Sequence, residues 1–119
     1  LAEVLRRKGR YSEAETYVRR GIEIAPEFYI LRETLGVVLL GQNRNLDEAE
    51  ESVRKAIELA KRENGTSPDV RLYTSLARIQ VARGDKKGAK SSLSRVEARL
   101  DELSDFEKRE YEEIAEGVL

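Results

Sequence analysis

Apolar residues recur along this chain three and four positions apart, and nowhere do they alternate with polar ones over the length of a strand. Ala14, Val18, Gly21, Ile22 and Ala25 share one helical face. So do Phe28, Leu31, Leu35, Val38 and Leu39, then Ala49, Val53, Ala56, Ile57 and Ala60. Leu72, Tyr73, Leu76, Ile79 and Val81 mark a further helix. Ala89, Leu93, Val96, Leu100 and Leu103 mark the next, and Phe106, Tyr111, Ile114, Ala115 and Val118 the last. Residues 1–8, with Leu1, Ala2, Val4 and Leu5 apolar, read as the tail of a helix that Gly9 closes. The pattern predicts about seven helices, the first of them partial, and no strand.

Punctuation falls between these faces. Ser12 with Glu15, Asp47 with Glu50, and Ser104 with Glu107 have the spacing of capping boxes, and Asp85 is placed to cap the helix after it. Pro26 stops one helix and can serve as the first residue of the next. Gly41 ends that helix. Asn64-Gly65 is a helix stop and Ser67-Pro68 a helix start. Connections are short, so successive helices are expected to be antiparallel neighbours.

One phrase recurs at these punctuation points: Gly9-Arg10-Tyr11-Ser12-Glu13-Ala14, then Asn45-Leu46-Asp47-Glu48-Ala49, then Gly84-Asp85-Lys86-Lys87-Gly88-Ala89. The alanines lie 35 and 40 residues apart, a period typical of stacked helical repeats. An apolar residue followed directly by a small one appears as Leu1-Ala2, Leu35-Gly36, Leu76-Ala77 and Ile114-Ala115. A small–bulky–small set appears as Ala14, Val18, Gly21, as Ala49, Val53, Ala56, and as Ala89, Leu93, Val96. In this arrangement the chain resembles the tetratricopeptide repeat family. Tyr73 and Tyr111 stand at the family's large site three residues before the pair. Arg32 departs from it there, and Val96 departs at the last small site.

The resemblance implies an all-α, right-handed α-α superhelix, a TPR-like helical-hairpin solenoid in one domain. It divides the chain into a partial repeat over 1–26, repeats over 27–67 and 68–103, and a last helix over 104–119. Leu1 in place of Met, and apolar Val118 and Leu119 at the other end, fit a piece of a longer array.

Composition narrows the chemistry. Apolar residues make up 39% and charged residues 38%, which suits a thin stack with much surface per residue. The chain has no His and no Cys, so the imidazole and thiolate ligands of zinc, iron–sulfur or haem sites are missing. A Cys nucleophile or a Ser–His pair is missing too, and the sequence points to no enzyme and to no cofactor. No apolar run approaches the length that spans a bilayer, and the start has no signal-peptide pattern. Aromatics are few and sit mostly at expected packing sites, so neither nucleic acid nor membrane insertion is expected. The net charge of −1 conceals a segregation of basic residues into 70–99 and acidic residues into 100–119. Either the basic block meets an anionic partner, or the two blocks neutralise each other within the stack.

The resemblance also implies a binding surface, because in this family the first helix of each repeat lines a concave groove for a partner's peptide or helix. Carried onto this sequence, that surface comprises Arg6 and Arg7, then Ile30, Glu33, Val37 and Leu40, then Arg71, Thr74, Ser75 and Arg78, and Arg109 on the last helix. Val37 and Thr34 occupy sites where a carboxylate clamp would need Asn, so capture of a partner's C-terminus is not expected. Arg71 and Arg78, seven residues apart, share a face and could grip carboxylates or phosphates. Alternatively they pair with Glu33 or with the acidic last helix. Ile30, Val37 and Leu40 could receive apolar anchors of a peptide or could contact a neighbouring helix. The expected function is therefore a protein–protein interaction scaffold. Self-assembly through the end helices, or service as a regulatory or substrate-guiding arm of a larger enzyme, are the alternatives.

Overall fold

The structure is a computed structural model that describes residues 2–65 and 68–118, with side chains from residue 9 onward except that of residue 64. Among the described residues there are six α-helices and no strand. They are α1 (Ala2–Ile24), α2 (Tyr29–Gln42), α3 (Leu46–Asn64), α4 (Val70–Ala82), α5 (Lys86–Glu97) and α6 (Asp105–Val118), with a 3-10 turn at Leu100–Glu102. α2 packs on α3 and α4 on α5, giving two helical hairpins, while α1 packs on α2, α3 on α4 and α5 on α6. α2 also touches α4, and α4 touches α6. The first helix of each hairpin thus lies with α6 in one layer, and α1, α3 and α5 form the other.

Small residues set the helix spacing. Ala49, Val53 and Ala56 of α3 are fully buried, as are Ala77 of α4 and Ala89 of α5. A Cβ added to Gly36 would overlap the Val53 side chain and lie 3.0 Å from the Ala49 carbonyl oxygen. Only hydrogen at position 36 lets α2 and α3 come this close. The core then runs continuously from Val18 through Leu35, Leu39, Val53 and Leu72 to Ile79 and Val96. A second cluster joins Ala77, Ala89, Leu93 and Val118, covered by Tyr111, Ile114 and Ala115.

Several expected boundaries differ. Gly9 does not close a helix and Ser12 does not open one, because α1 runs unbroken through both, so six helices stand where seven were predicted. Gly9 keeps a negative φ, since positive values among the glycines occur only at Gly65 and Gly84. A lone helical glycine costs only about 1 kcal/mol, which good helix formers on either side offset. Pro26 sits in a turn rather than on the first turn of α2, which starts at Tyr29. Asn43, not Gly41, ends α2 in the left-handed region at φ 51°. Gly41 instead lies against Tyr11, whose ring atoms would be 2.5 Å from an added Cβ. Asp47 and Glu50 form no cap, because α3 starts two residues earlier, at Leu46 behind Asn45. The helix expected to reach Leu103 breaks after Glu97, and Arg99 there donates to the Pro68 carbonyl at 2.7 Å.

The helix start expected at Ser67-Pro68 falls instead at Val70, capped by Asp69, with Ser67 outside the described residues; three further boundaries stand as expected. Gly65 follows α3 at φ 81°. Asp85 caps α5 by accepting from the Gly88 N–H at 2.9 Å. Ser104 and Glu107 form a reciprocal capping box at 2.9 and 3.2 Å.

Glu15, freed from capping, ties the first three helices together. Its carboxylate accepts from Gln42 at 2.8 Å, Arg19 at 2.8 Å and Arg44 at 2.5 Å, and Arg19 reaches on to both oxygens of Glu48 at 2.9 Å. These bonds, Gln42 foremost and then Arg19, lower the Glu15 pKa from 4.5 to about 2. A depressed carboxylate contributes stability above its unfolded pKa, and loses it as pH falls through the folded value. Urea midpoints should therefore drop between pH 4.5 and 2, and Glu15→Gln should flatten that decline while lowering stability at pH 7. An unchanged acid profile in the variant would rule the network out as its source. Ala49→Leu should overpack the α2–α3 crossing and cost about 1–3 kcal/mol, read as a lower melting temperature.

Candidate functional site: the α2–α4–α6 groove

A cleft of about 260 Å³ opens where α2, α4 and α6 meet. Glu33 lies at its base, only 8% exposed, with its two oxygens divided between neighbours. Oε2 accepts from the Ser75 hydroxyl at 3.0 Å, and Oε1 faces the Arg71 guanidinium at 3.2 Å. A buried carboxylate persists when its charge is paired and its lone pairs are met, and both conditions hold here. Thr74 and Ser75 are buried beside it. α6 supplies Phe106, Glu107 and Glu110. The Ser104 backbone N–H, followed by its hydroxyl, holds the Glu107 carboxyl below the usual range. Arg78 is ion-paired with Glu110.

The residues expected from the sequence divide into three groups. Glu33, Arg71, Thr74 and Ser75 converge on the cleft, and Arg78 pairs with one of its walls. Ile30 and Val37 flank Glu33 on the same face of α2 and are 38% and 40% exposed. Leu40 is half-buried and packs against the core. Arg109 is exposed on α6 outside the cleft. The side chains of Arg6 and Arg7 lie outside the described residues.

Phe106, Glu107 and Glu110 complete the site and were not expected there. Phe106 continues the apolar pattern of α6, yet it is 70% exposed on the groove rim. Its place at the first turn of α6 sets it one turn beyond the covered stripe of Tyr111, Ile114 and Ala115. The basic–acidic neutralisation is real in part. Arg71 and Arg78 face carboxylates of adjacent helices, leaving the groove with as many acidic as basic groups or more. Among the described residues no group of His, Cys, Asp and Glu could hold a metal ion, and no helix is long and apolar enough to cross a membrane.

The model of one family, described as Tetratricopeptide repeat, matches residues 1–28 and 34–63. The first match covers α1 and the turn after it, and the second the rest of α2 with nearly all of α3. No curated protein and no solved structure matches the chain.

Proposed function

Since the chain belongs to the tetratricopeptide repeat family, whose repeats are non-catalytic scaffolds for protein–protein interaction, we propose that its α2–α4–α6 groove docks an extended segment of a partner protein. The exposed ring of Phe106 beside the cleft carries this reading. An aromatic ring left uncovered at the rim of a polar, preformed cleft suits the apolar anchor of a peptide. Ile30 and Val37 extend the apolar rim along α2. Arg71 and Arg78 are already neutralised, so an acidic ligand would have to displace Glu33 or Glu110. Glu33, Glu107 and Glu110 outnumber those two guanidinia, and this acidic excess favours instead a segment that pairs a large apolar residue with Lys or Arg.

Selection of peptides from a random library on the immobilised chain tests this. Enriched peptides should combine an aromatic or aliphatic residue with a basic one. Phe106→Ser should weaken them about tenfold, the loss of a single anchor, without loss of helix content. Unchanged affinity in Phe106→Ser and in Glu110→Gln would move the site elsewhere.

A second reading, self-assembly, is favoured by Tyr17 and Ile24 on α1, which share a face and are 70% and 78% exposed. Sedimentation velocity across a wide concentration range should then show an oligomer that Ile24→Glu dissolves. A monomer at every concentration would exclude it.

A further inference from the structure

The outer layer carries two clefts that peptide docking in the groove leaves unused. One, of about 780 Å³, lies between α1, α2 and α3, where Arg19, Arg32, Arg54 and Lys55 meet the carboxylates of Glu23, Glu48, Glu51 and Glu58. Its charges balance. The other, of about 270 Å³, lies one hairpin further on between α3, α4 and α5. Arg54, Lys61 and Arg95 line it, and no carboxylate does.

Its polar groups all point the same way chemically. Gln80 is 2% exposed, and its Oε1 accepts from the Ser92 hydroxyl at 2.6 Å. The Gln80 Nε2 donates to no side chain among the described residues, and Gln80 lines the cleft. Gly88 leaves room for that nitrogen and for the Asp85 carboxylate, since a Cβ there would overlap Asp85 Oδ2 and lie 2.8 Å from the Gln80 Nε2. Asp85 stands behind Gly88, engaged as the cap of α5. Ser91 adds an exposed hydroxyl. Arg95 lies over the Tyr73 ring at 5.5 Å, and neither it nor Lys61 has a carboxylate partner among the described residues. Arg54 shares Glu50 with Arg83 through its Nη2 and Nε, so Nη1 remains. Lys86, Lys87 and Lys90 on the same helix as Arg95 add to the positive field.

We propose that this cleft binds a phosphate monoester. Three cations and two neutral donors, against the single Asp85 carboxylate behind Gly88, match a dianion with three terminal oxygens better than a singly charged carboxylate. The cleft also exceeds the needs of a bare phosphate, and Ile57, Leu76 and Tyr73 give it an apolar floor for the esterified group. The inference stands apart from the groove, which lies on the other layer.

Titration of the whole chain with phenyl phosphate and with inorganic phosphate, followed by amide chemical shifts, tests it. Gly88, Ser91 and Ser92 should shift saturably with both, and phenyl phosphate should bind more tightly. Lys61→Ala with Arg95→Ala, both exposed, should weaken binding about tenfold or more, as expected for charge-assisted hydrogen bonds, with unchanged helix content showing that loss of the Arg95 contact with Tyr73 leaves the fold intact. Sodium chloride at matched ionic strength should produce no saturable shift. Absence of saturation, indifference to the double variant, or equal binding of acetate would overturn the proposal. Stronger binding of inorganic phosphate than of phenyl phosphate would overturn the monoester assignment.

Discussion

The close approach of paired helices at positions without bulk is the constraint on which the rest of the molecule depends. Gly36 against Ala49 and Val53 is its tightest instance. With the axes this near, the bulky neighbours Leu35, Leu39 and Ile79 reach across and join one continuous core. The same spacing puts α2, α4 and α6 side by side, so that Glu33 of one helix meets Ser75 and Arg71 of the next. Without small residues at the crossings, neither the core nor the groove would have its present geometry.

Polar groups then divide between the two layers. In the inner layer, carboxylates and guanidinia from successive helices satisfy one another, as Glu33 with Arg71 and Glu110 with Arg78. In the outer layer the balance shifts at the α3–α4–α5 cleft, which three cations and no carboxylate line. The buried Gln80–Ser92 pair marks that boundary, with its carbonyl oxygen satisfied inward and its amide nitrogen turned toward the cleft.

Much of this was legible in the amino-acid order, and the failures have physical causes. The inner faces of α3 and α5 were readable because alanine and valine at fixed spacing have few other uses, and Ala49, Val53, Ala89 and Val96 are all buried. Ser104 with Glu107 was readable as a cap because both partners are local. Ser12 with Glu15 has the same spacing and fails, since Gln42, Arg19 and Arg44 draw the Glu15 carboxylate into a network that includes residues 27 and 29 positions away. Gly41 looks like a helix end but accommodates Tyr11, a long-range contact with no local signature. In the groove, α2 and α4 supplied residues at their expected places, while α6 presents its first turn, and so Phe106, where positions further along were expected.

Arg32 has a consequence for how the array comes apart. It stands where Tyr73 fills the corresponding place in the next hairpin, and Tyr73 is buried. The Arg32 Nε is shielded from water yet bonded to nothing, and its Nη2 reaches only the Pro26 carbonyl, at 3.5 Å. Beside it lies the cleft of about 780 Å³ between α1, α2 and α3. Linear arrays lose structure at their weakest junction rather than all at once. Opening of the α1–α2 seam therefore gives up the Val18 contact and the acid-sensitive Glu15 network together, while the two hairpins behind it stay closed.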